Sequence, residues 1–151
     1  MRISAKVDYA VRAALELAGA GDDPVKGDQI SEAQGIPLKF LENILGELKH
    51  SGIVASRRGA NGGYWLAKDP AEVTLGDIVR AVEGPLASVR GQGAEALSYE
   101  GGAKPLQDVW IALRANLRAV LDGTTLADVV AGELPKPVRE LSEPAEAWSP
   151  R

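Results

Sequence analysis

Apolar residues recur through the first third of the chain with the 3.6-residue period of an α-helix. The breaks in that period fall at glycine and proline. Val7, Ala10, Val11, Ala14, Leu17 and Ala18 predict a helix over residues 4–19, ended by Gly19 and Gly21. Val25 follows as a candidate short edge strand. Asp28 is placed to cap a second helix over residues 28–34, whose Ile30 and Ala33 face inward. Gly35 suits the left-handed residue that closes it, and Pro37 suits the first turn of a third helix over residues 37–51. There Leu38, Leu41, Leu45 and Leu48 fall at i, i+3, i+7 and i+10 on one face, with Ile44 beside them. The other face presents Lys39, Glu42, Asn43, Gly46 and His50.

The pattern then changes. Two short β-prone runs, Ile53-Val54-Ala55-Ser56 and Tyr64-Trp65-Leu66-Ala67, flank a tip of Arg57-Arg58-Gly59-Ala60-Asn61-Gly62-Gly63, which predicts a β-hairpin with a basic wing. Helix, turn, helix, wing is a DNA-binding order. Thr74 and Asp77 have capping-box spacing ahead of a fourth helix over residues 75–83, stopped by Gly84-Pro85. Residues 85–103, with Gly91, Gly93, Gly101 and Gly102, form a loop longer than ordinary connections, for which function and disorder are the usual reasons. A long helix over residues 104–121 carries Leu106, Trp110, Leu113, Leu117 and Val120 at heptad spacing. Such a stripe either pairs with a second copy or packs on its own domain. Thr124 or Thr125 starts a short helix with Leu126, Val129 and Val130, whose apolar face braces the long one. Beyond Glu133, the prolines Pro135, Pro137, Pro144 and Pro150 with scattered acids read as an irregular tail, in which Trp148 either docks or is solvated.

The fold class is therefore mainly α with a small β-hairpin: a winged helix-turn-helix head over residues 1–84, a glycine-rich effector-type loop over 85–103, dimerisation helices over 104–132, and a tail over 133–151. Composition narrows the function. The chain has 151 residues, 45% hydrophobic and 25% charged, which suits one globular domain with an appended element. Lys6, Asp8, Arg12 and Glu16 interrupt the first helix, so it can serve neither as a signal peptide nor as a membrane span, and a cytoplasmic location is expected. The absence of cysteine and the single histidine exclude disulfides, thiolate metal sites and a cysteine nucleophile. No phosphate-cradling loop or metal-ligand spacing is present either, so an enzyme is not expected. The formal charge is −4, but residues 39–68 hold five basic and two acidic side chains, a local +3 on a body of −7. A basic face on an acidic body fits a DNA binder, because the phosphate term responds to the charges that reach the backbone.

The motifs Leu38-Lys39-Phe40-Leu41-Glu42, Gly52-Ile53-Val54, Arg58-Gly59, Gly62-Gly63-Tyr64, Thr74-Leu75, Asp77-Ile78 and Ala81-Val82-Glu83-Gly84, with the opening Met1-Arg2-Ile3-Ser4 and the pair Tyr9-Ala10, resemble the IscR-like (Rrf-type) bacterial winged-helix transcriptional regulators over residues 1–132. The resemblance implies a homodimer, crossed through the long helix, whose two heads read a palindromic operator in double-stranded DNA. It puts Lys39, Glu42 and Asn43 in the major groove and Arg58, Gly59 and Gly63 in a wing that meets the minor groove. The chemistry agrees. Asn43 can pair bidentately with adenine, Glu42 can accept from cytosine N4, and Lys39 can reach guanine or a phosphate. Arg57 and Arg58 are long cations on a narrow turn, suited to a minor groove of strong negative potential, although Arg57 can equally face its own domain. His50 closes the third helix, as a cap or a phosphate contact.

The departures matter as much. Many members of that family hold an iron–sulfur cluster through three cysteines in the loop after the fourth helix, and this chain has none. Lys104 and Gln107 stand where the last cysteine and a nearby histidine ligand would be, and Asp8 stands near a position that is acidic and ligating in a relative. No cluster is expected. The input signal then comes from a small molecule in a cleft near Tyr9, Trp65 and Trp110, from a protein that grips the loop or tail, or from protein abundance alone. The competing function is a winged helix whose third helix and wing bind a protein instead of DNA.

Overall fold

The computed structural model describes residues 2–150; Met1 of the opening motif and Arg151 at the end of the tail lie outside them. Seven α-helices and one hairpin are present among these residues: α1 (Ala5–Ala20), α2 (Gly27–Gln34), α3 (Leu38–His50), β1 (Val54–Arg57), β2 (Gly63–Leu66), α4 (Leu75–Glu83), α5 (Leu106–Leu121), α6 (Leu126–Ala131) and α7 (Lys136–Ser142). The expected mainly helical architecture with a wing is what forms. None of the helices is long and apolar enough to cross a membrane, among the described residues.

One core holds the head together. α1 supplies Val7, Ala10, Ala13, Ala14 and Leu17, and its alanines let α3 and α4 approach closely. α3 contributes Leu41, Ile44, Leu45 and Leu48, each no more than 1% exposed. Burial on that scale stabilises by roughly 1.5–3 kcal/mol per side chain. Ile30, Ile36, Ile53, Val54, Val73 and Ile78 close the cluster from in and around α2, the hairpin and α4, and Leu126 enters it from α6, which packs on α1 instead of bracing α5 as expected. Strands β1 and β2 are antiparallel, with Val54 opposite Leu66 and Arg57 opposite Gly63. The expected edge position at Val25 is occupied: Val25 exchanges backbone hydrogen bonds with Tyr64 at 2.9 and 2.8 Å.

Local signals set the helix ends. Ser4 Oγ accepts from the Val7 amide at 3.1 Å, and Gly35 closes α2 in the left-handed conformation at φ 62°. Thr74 and Asp77 form the expected capping box, with reciprocal bonds of 3.1 and 3.0 Å. Asp28 does not cap α2, because the helix begins one residue earlier, at Gly27. Gln29 Oε1 instead accepts from the Lys26 amide at 2.9 Å, and Asp28, inside the first turn, still complements the positive end of the helix dipole. Of the two threonines offered for α6, Thr125 is the cap, in a second capping box with Asp128. Thr124 is buried, its hydroxyl donating to the Val120 carbonyl at 2.7 Å.

Two joints fix the head against the C-terminal helices. The Leu75 amide donates to the Thr124 carbonyl and the Leu126 amide to the Val73 carbonyl, both at 2.9 Å, which ties the start of α4 to the start of α6. Arg80 of α4 donates to Asp122, just beyond α5, at 2.6 Å, and Asp122 raises the Arg80 pKa through that bond.

The loop over 85–103 is packed, not free. Ala94 and Leu97 are buried, Gln107 donates to the Ala94 carbonyl at 3.2 Å, Trp110 donates to the Tyr99 hydroxyl at 3.1 Å, and Arg114 pairs with Glu95. The tail corrects the sequence reading. It contains α7 and a 3₁₀ turn at Ala145–Trp148, because Pro135 and Pro137 lie at the start of α7 and not in its interior, where a missing N–H costs nothing. Lys136 and Glu140 add an i, i+4 ion pair at 3.4 Å.

Candidate nucleic-acid interface

α3 is a helix with two occupations. Leu41, Ile44, Leu45 and Leu48 anchor one side in the core. On the opposite side Lys39, Asn43, Gly46 and His50 follow at i, i+4, i+7 and i+11, with Glu42 beside them, and all five are exposed. Glu47, the other acid of this helix, is turned sideways and pairs with Lys6 of α1 at 2.8 Å. Glu42 is therefore the lone carboxylate of α3 on the outward face, so the +3 counted along the sequence understates the positive character of this surface. Gly46 adds no side chain to that face, and a Cβ there would meet nothing within 4 Å.

Between α3 and the hairpin runs a groove of about 310 Å³ lined by residues that include Glu42, Gly46, Lys49, Ser56, Arg57 and Arg58. Lys49 Nζ donates to Ser56 Oγ at 2.7 Å, locking the end of α3 to β1. At the wing tip Gly59 has φ 104°, a region that side chains other than glycine rarely adopt. Gly63 has φ 148°, and an added Cβ would lie 2.8 Å from the Val25 carbonyl oxygen, so glycine is needed there for the strand contact with Val25. Gly63 is buried and serves the wing from within, whereas Gly59 is exposed at the tip.

The two arginines differ. Arg57 donates to the Asn61 carbonyl at 3.1 Å and braces the turn. Arg58 is exposed at the tip, and no ion pair engages it among the described residues. Lys26 was missed by sequence reasoning. Its Nζ donates to the Gly59 carbonyl at 2.6 Å and holds the wing tip from the start of α2, a contact across 33 residues that no local signal announces. Lys49 could have been found, since it follows Glu42 at i+7.

The three aromatics proposed for an effector cleft are engaged separately. Tyr9 packs edge-on against Phe40 at 5.7 Å with Arg12 over its ring, Trp65 sits in β2 opposite Ala55, and Trp110 is bonded to Tyr99. Neither the α3–wing groove nor a second concavity beside α7 includes any of them. The heptad residues Leu106, Trp110, Leu113, Leu117 and Val120 are all half-buried, and α5 is a 16-residue helix with no fully buried residue.

A core-anchored helix with a free polar face, set beside a basic hairpin, defines a winged helix-turn-helix DNA-binding protein. The chain belongs to the Rrf2 family, described as iron-dependent transcriptional regulators, whose pattern matches residues 3–132. Members are transcriptional regulators and not enzymes. The chain is 49% identical over 144 residues to the protein Rv1287 of Mycobacterium tuberculosis (strain ATCC 25618 / H37Rv), covering 95% of this chain and 89% of that one. It is 39% identical over 132 residues to the HTH-type transcriptional regulator IscR of Serratia proteamaculans (strain 568), covering 86% and 79%. In three dimensions it resembles the structure of CymR (YrzC), the global cysteine regulator of B. subtilis, with a TM-score of 0.74 and 35% identity over 87% of this chain and 98% of that one.

The iron dependence in the family description meets an unsuitable donor set here. The chain has no cysteine, Lys104 is a cation, and the Gln107 amide nitrogen is turned toward the Ala94 and Glu95 carbonyls at 3.2 and 3.4 Å. Thiolates hold iron–sulfur clusters, and none of these groups replaces them.

Proposed function

We propose that the protein is a sequence-specific repressor that binds a palindromic operator as a homodimer in the cytoplasm, without an iron–sulfur cluster. The observation that carries this reading is the single surface made by the outward face of α3 and the wing. Lys39, Glu42 and Asn43 supply base-reading chemistry there, and Arg58 supplies a free cation beside it. Asn43 is assigned to adenine, Glu42 to cytosine N4 and Lys39 to guanine or a phosphate. Arg58 is the minor-groove contact, and Arg57, Lys26 and Lys49 hold the wing in position for it.

The dimer supplies the spacing. A 16-residue helix whose apolar stripe remains half-exposed is incomplete as a monomer. Pairing through α5 presents two α3 helices related by a two-fold axis, so the DNA site has matching two-fold symmetry, with half-sites about one helical turn apart or a multiple of it. Occupation of such a site within a promoter excludes polymerase.

DNase footprinting on the DNA upstream of the protein's own gene tests this. The expected result is a protected stretch with two related half-sites in inverted orientation. A single unpaired half-site would refute the symmetric dimer. Uniform weak protection along the duplex, or none, would refute sequence-specific binding and favour a protein partner for α3 and the wing.

A further inference from the structure

We propose that the C-terminal tail completes the self-association surface, with Leu141 and Trp148 of each protomer receiving Val109 of the partner subunit. The proposal rests on the dimer reading above and adds a contact that the family pattern, which ends at residue 132, does not contain.

The tail is ordered in a particular way. α7 packs against α5, and the following 3₁₀ turn folds back on α7. Val120, Val138, Leu141, Ser142, Ala147 and Trp148 line an open concavity of about 360 Å³ between them. The Trp148 indole N–H donates to the Ser142 carbonyl at 2.6 Å. The polar edge of the ring is thus used inside the chain, while the residue remains 77% exposed and its neighbour Leu141 60% exposed. A tryptophan held by its N–H and bare on its apolar body is built for contact.

The occupant follows from α5 itself. Val109, Leu113, Asn116 and Val120 fall at i, i+4, i+7 and i+11, on one face of the helix. One end of that face is Val109, at 55% the most exposed large hydrophobic of α5. The other end, Val120, is a wall of the concavity. A two-fold axis perpendicular to α5 near its midpoint runs the paired helices antiparallel. It brings the Val109 end of each helix to the Val120 end of the other. Isologous contacts have to be self-complementary, and this face is: an uncovered apolar knob at one end and an uncovered apolar socket at the other.

Area points the same way. The 16 residues of α5 rise about 24 Å, and a helix is about 10 Å across, so the strip offered by α5 alone is on the order of 240 Å². A stable interface takes about 800 Å² from each partner. The two tails widen the strip at both ends.

The test is sedimentation velocity over a concentration series on the full chain, comparing wild type with Leu141→Ser, Trp148→Ser, Val109→Ser and the Val109→Ser/Trp148→Ser double variant. All three positions are exposed within one chain, so far-UV circular dichroism should match wild type, as should Tm at dilutions where the chain is monomeric. Each single variant is expected to raise the dimer dissociation constant tenfold or more. The double variant is expected to fall well short of the product of the two single effects, as it does for residues in contact. Wild-type dimerisation of both tail variants, or independent effects of Val109 and Trp148, would overturn the tail contact and leave the dimer standing. A wild-type chain that stays monomeric at tens of micromolar would overturn the dimer itself, and the tail proposal with it.

Discussion

α3 and α5 are written in the same amphipathic period, yet they end in opposite conditions. α3 buries Leu41, Ile44, Leu45 and Leu48 against α1, α2 and α4, leaves Leu38 and Phe40 of its first turn 41% and 42% exposed, and presents a polar and basic outward face. α5 leaves every stripe residue half-exposed, rests on a loop and a short helix, and exposes Val109 and Ile111 besides. A periodic stripe therefore identifies a helix that has to bury something, and only the surrounding elements decide whether the chain itself supplies the cover. Where the chain supplies the cover, as for Leu41, Ile44, Leu45 and Leu48 of α3, the opposite face is free for recognition. Where it is incomplete, as on α5, the helix is itself an interface.

Substitutions in the two helices should separate these conditions. Leu45→Ala in α3 is expected to cost about 2–5 kcal/mol of unfolding free energy, read from the urea midpoint, because it opens a cavity in the core. Leu113→Ala in α5 is expected to cost under about 1.5 kcal/mol in the same measurement at dilutions where the chain is monomeric, since only part of its surface is covered. Its larger effect should appear as a raised dimer dissociation constant in sedimentation. Equal unfolding costs for the two would break the distinction between them.

On the recognition side, Arg58→Ala is expected to weaken operator binding by about 1–3 kcal/mol while leaving Tm near that of wild type. Lys26→Met should act on the same affinity through the wing tip that it braces. A smaller loss, about 0.5–1.5 kcal/mol, is expected from one hydrogen bond to Gly59. An effect of Lys26→Met larger than that of Arg58→Ala would mean that wing position, and not the Arg58 contact, carries the affinity.

The smallest effect concerns pH. The Thr125 backbone N–H and then its hydroxyl hold the Asp128 carboxyl below the usual aspartate value. Its contribution to stability is therefore fully present above about pH 4, the unfolded value, and is lost as pH falls through the lower folded value. Protection factors for amide exchange in α6, which remove the intrinsic pH dependence of exchange, should fall over that acid window and not above it. Asp128→Asn should flatten the dependence.

How legible these features were depends on how local their causes are. α4 begins and ends where its capping box and Gly84 put it, because each signal acts within four residues. The outward face of α3 was legible for the same reason: Lys39, Glu42, Asn43 and His50 follow from helical spacing once Leu41, Leu45 and Leu48 are assigned inside, although Leu38, assigned with them, stays 41% exposed at the start of the helix. Asp28 was misassigned because an acid at the cap and an acid two residues beyond it leave the same mark on the sequence. α7 was missed because Pro135 and Pro137 read as breakers, although proline at a helix start is neutral. The struts from Lys26 to Gly59 and from Arg80 to Asp122 join residues 33 and 42 apart, and nothing in either neighbourhood implies the other. The packing of the glycine-rich loop on α5 is of the same kind, made by Ala94, Leu97 and Tyr99 only after the chain has turned back.

Fluorescence-anisotropy titration of the full chain against its own promoter and against a scrambled duplex of equal composition, each at low and near-physiological salt, tests the central claim most directly. The expected result is promoter binding that survives physiological salt and exceeds scrambled binding by about 10³ or more, with affinity falling as salt rises in proportion to the phosphates neutralised. Equal, salt-labile binding to both duplexes, or none to either, would contradict a sequence-specific regulator that reads DNA through α3 and the wing.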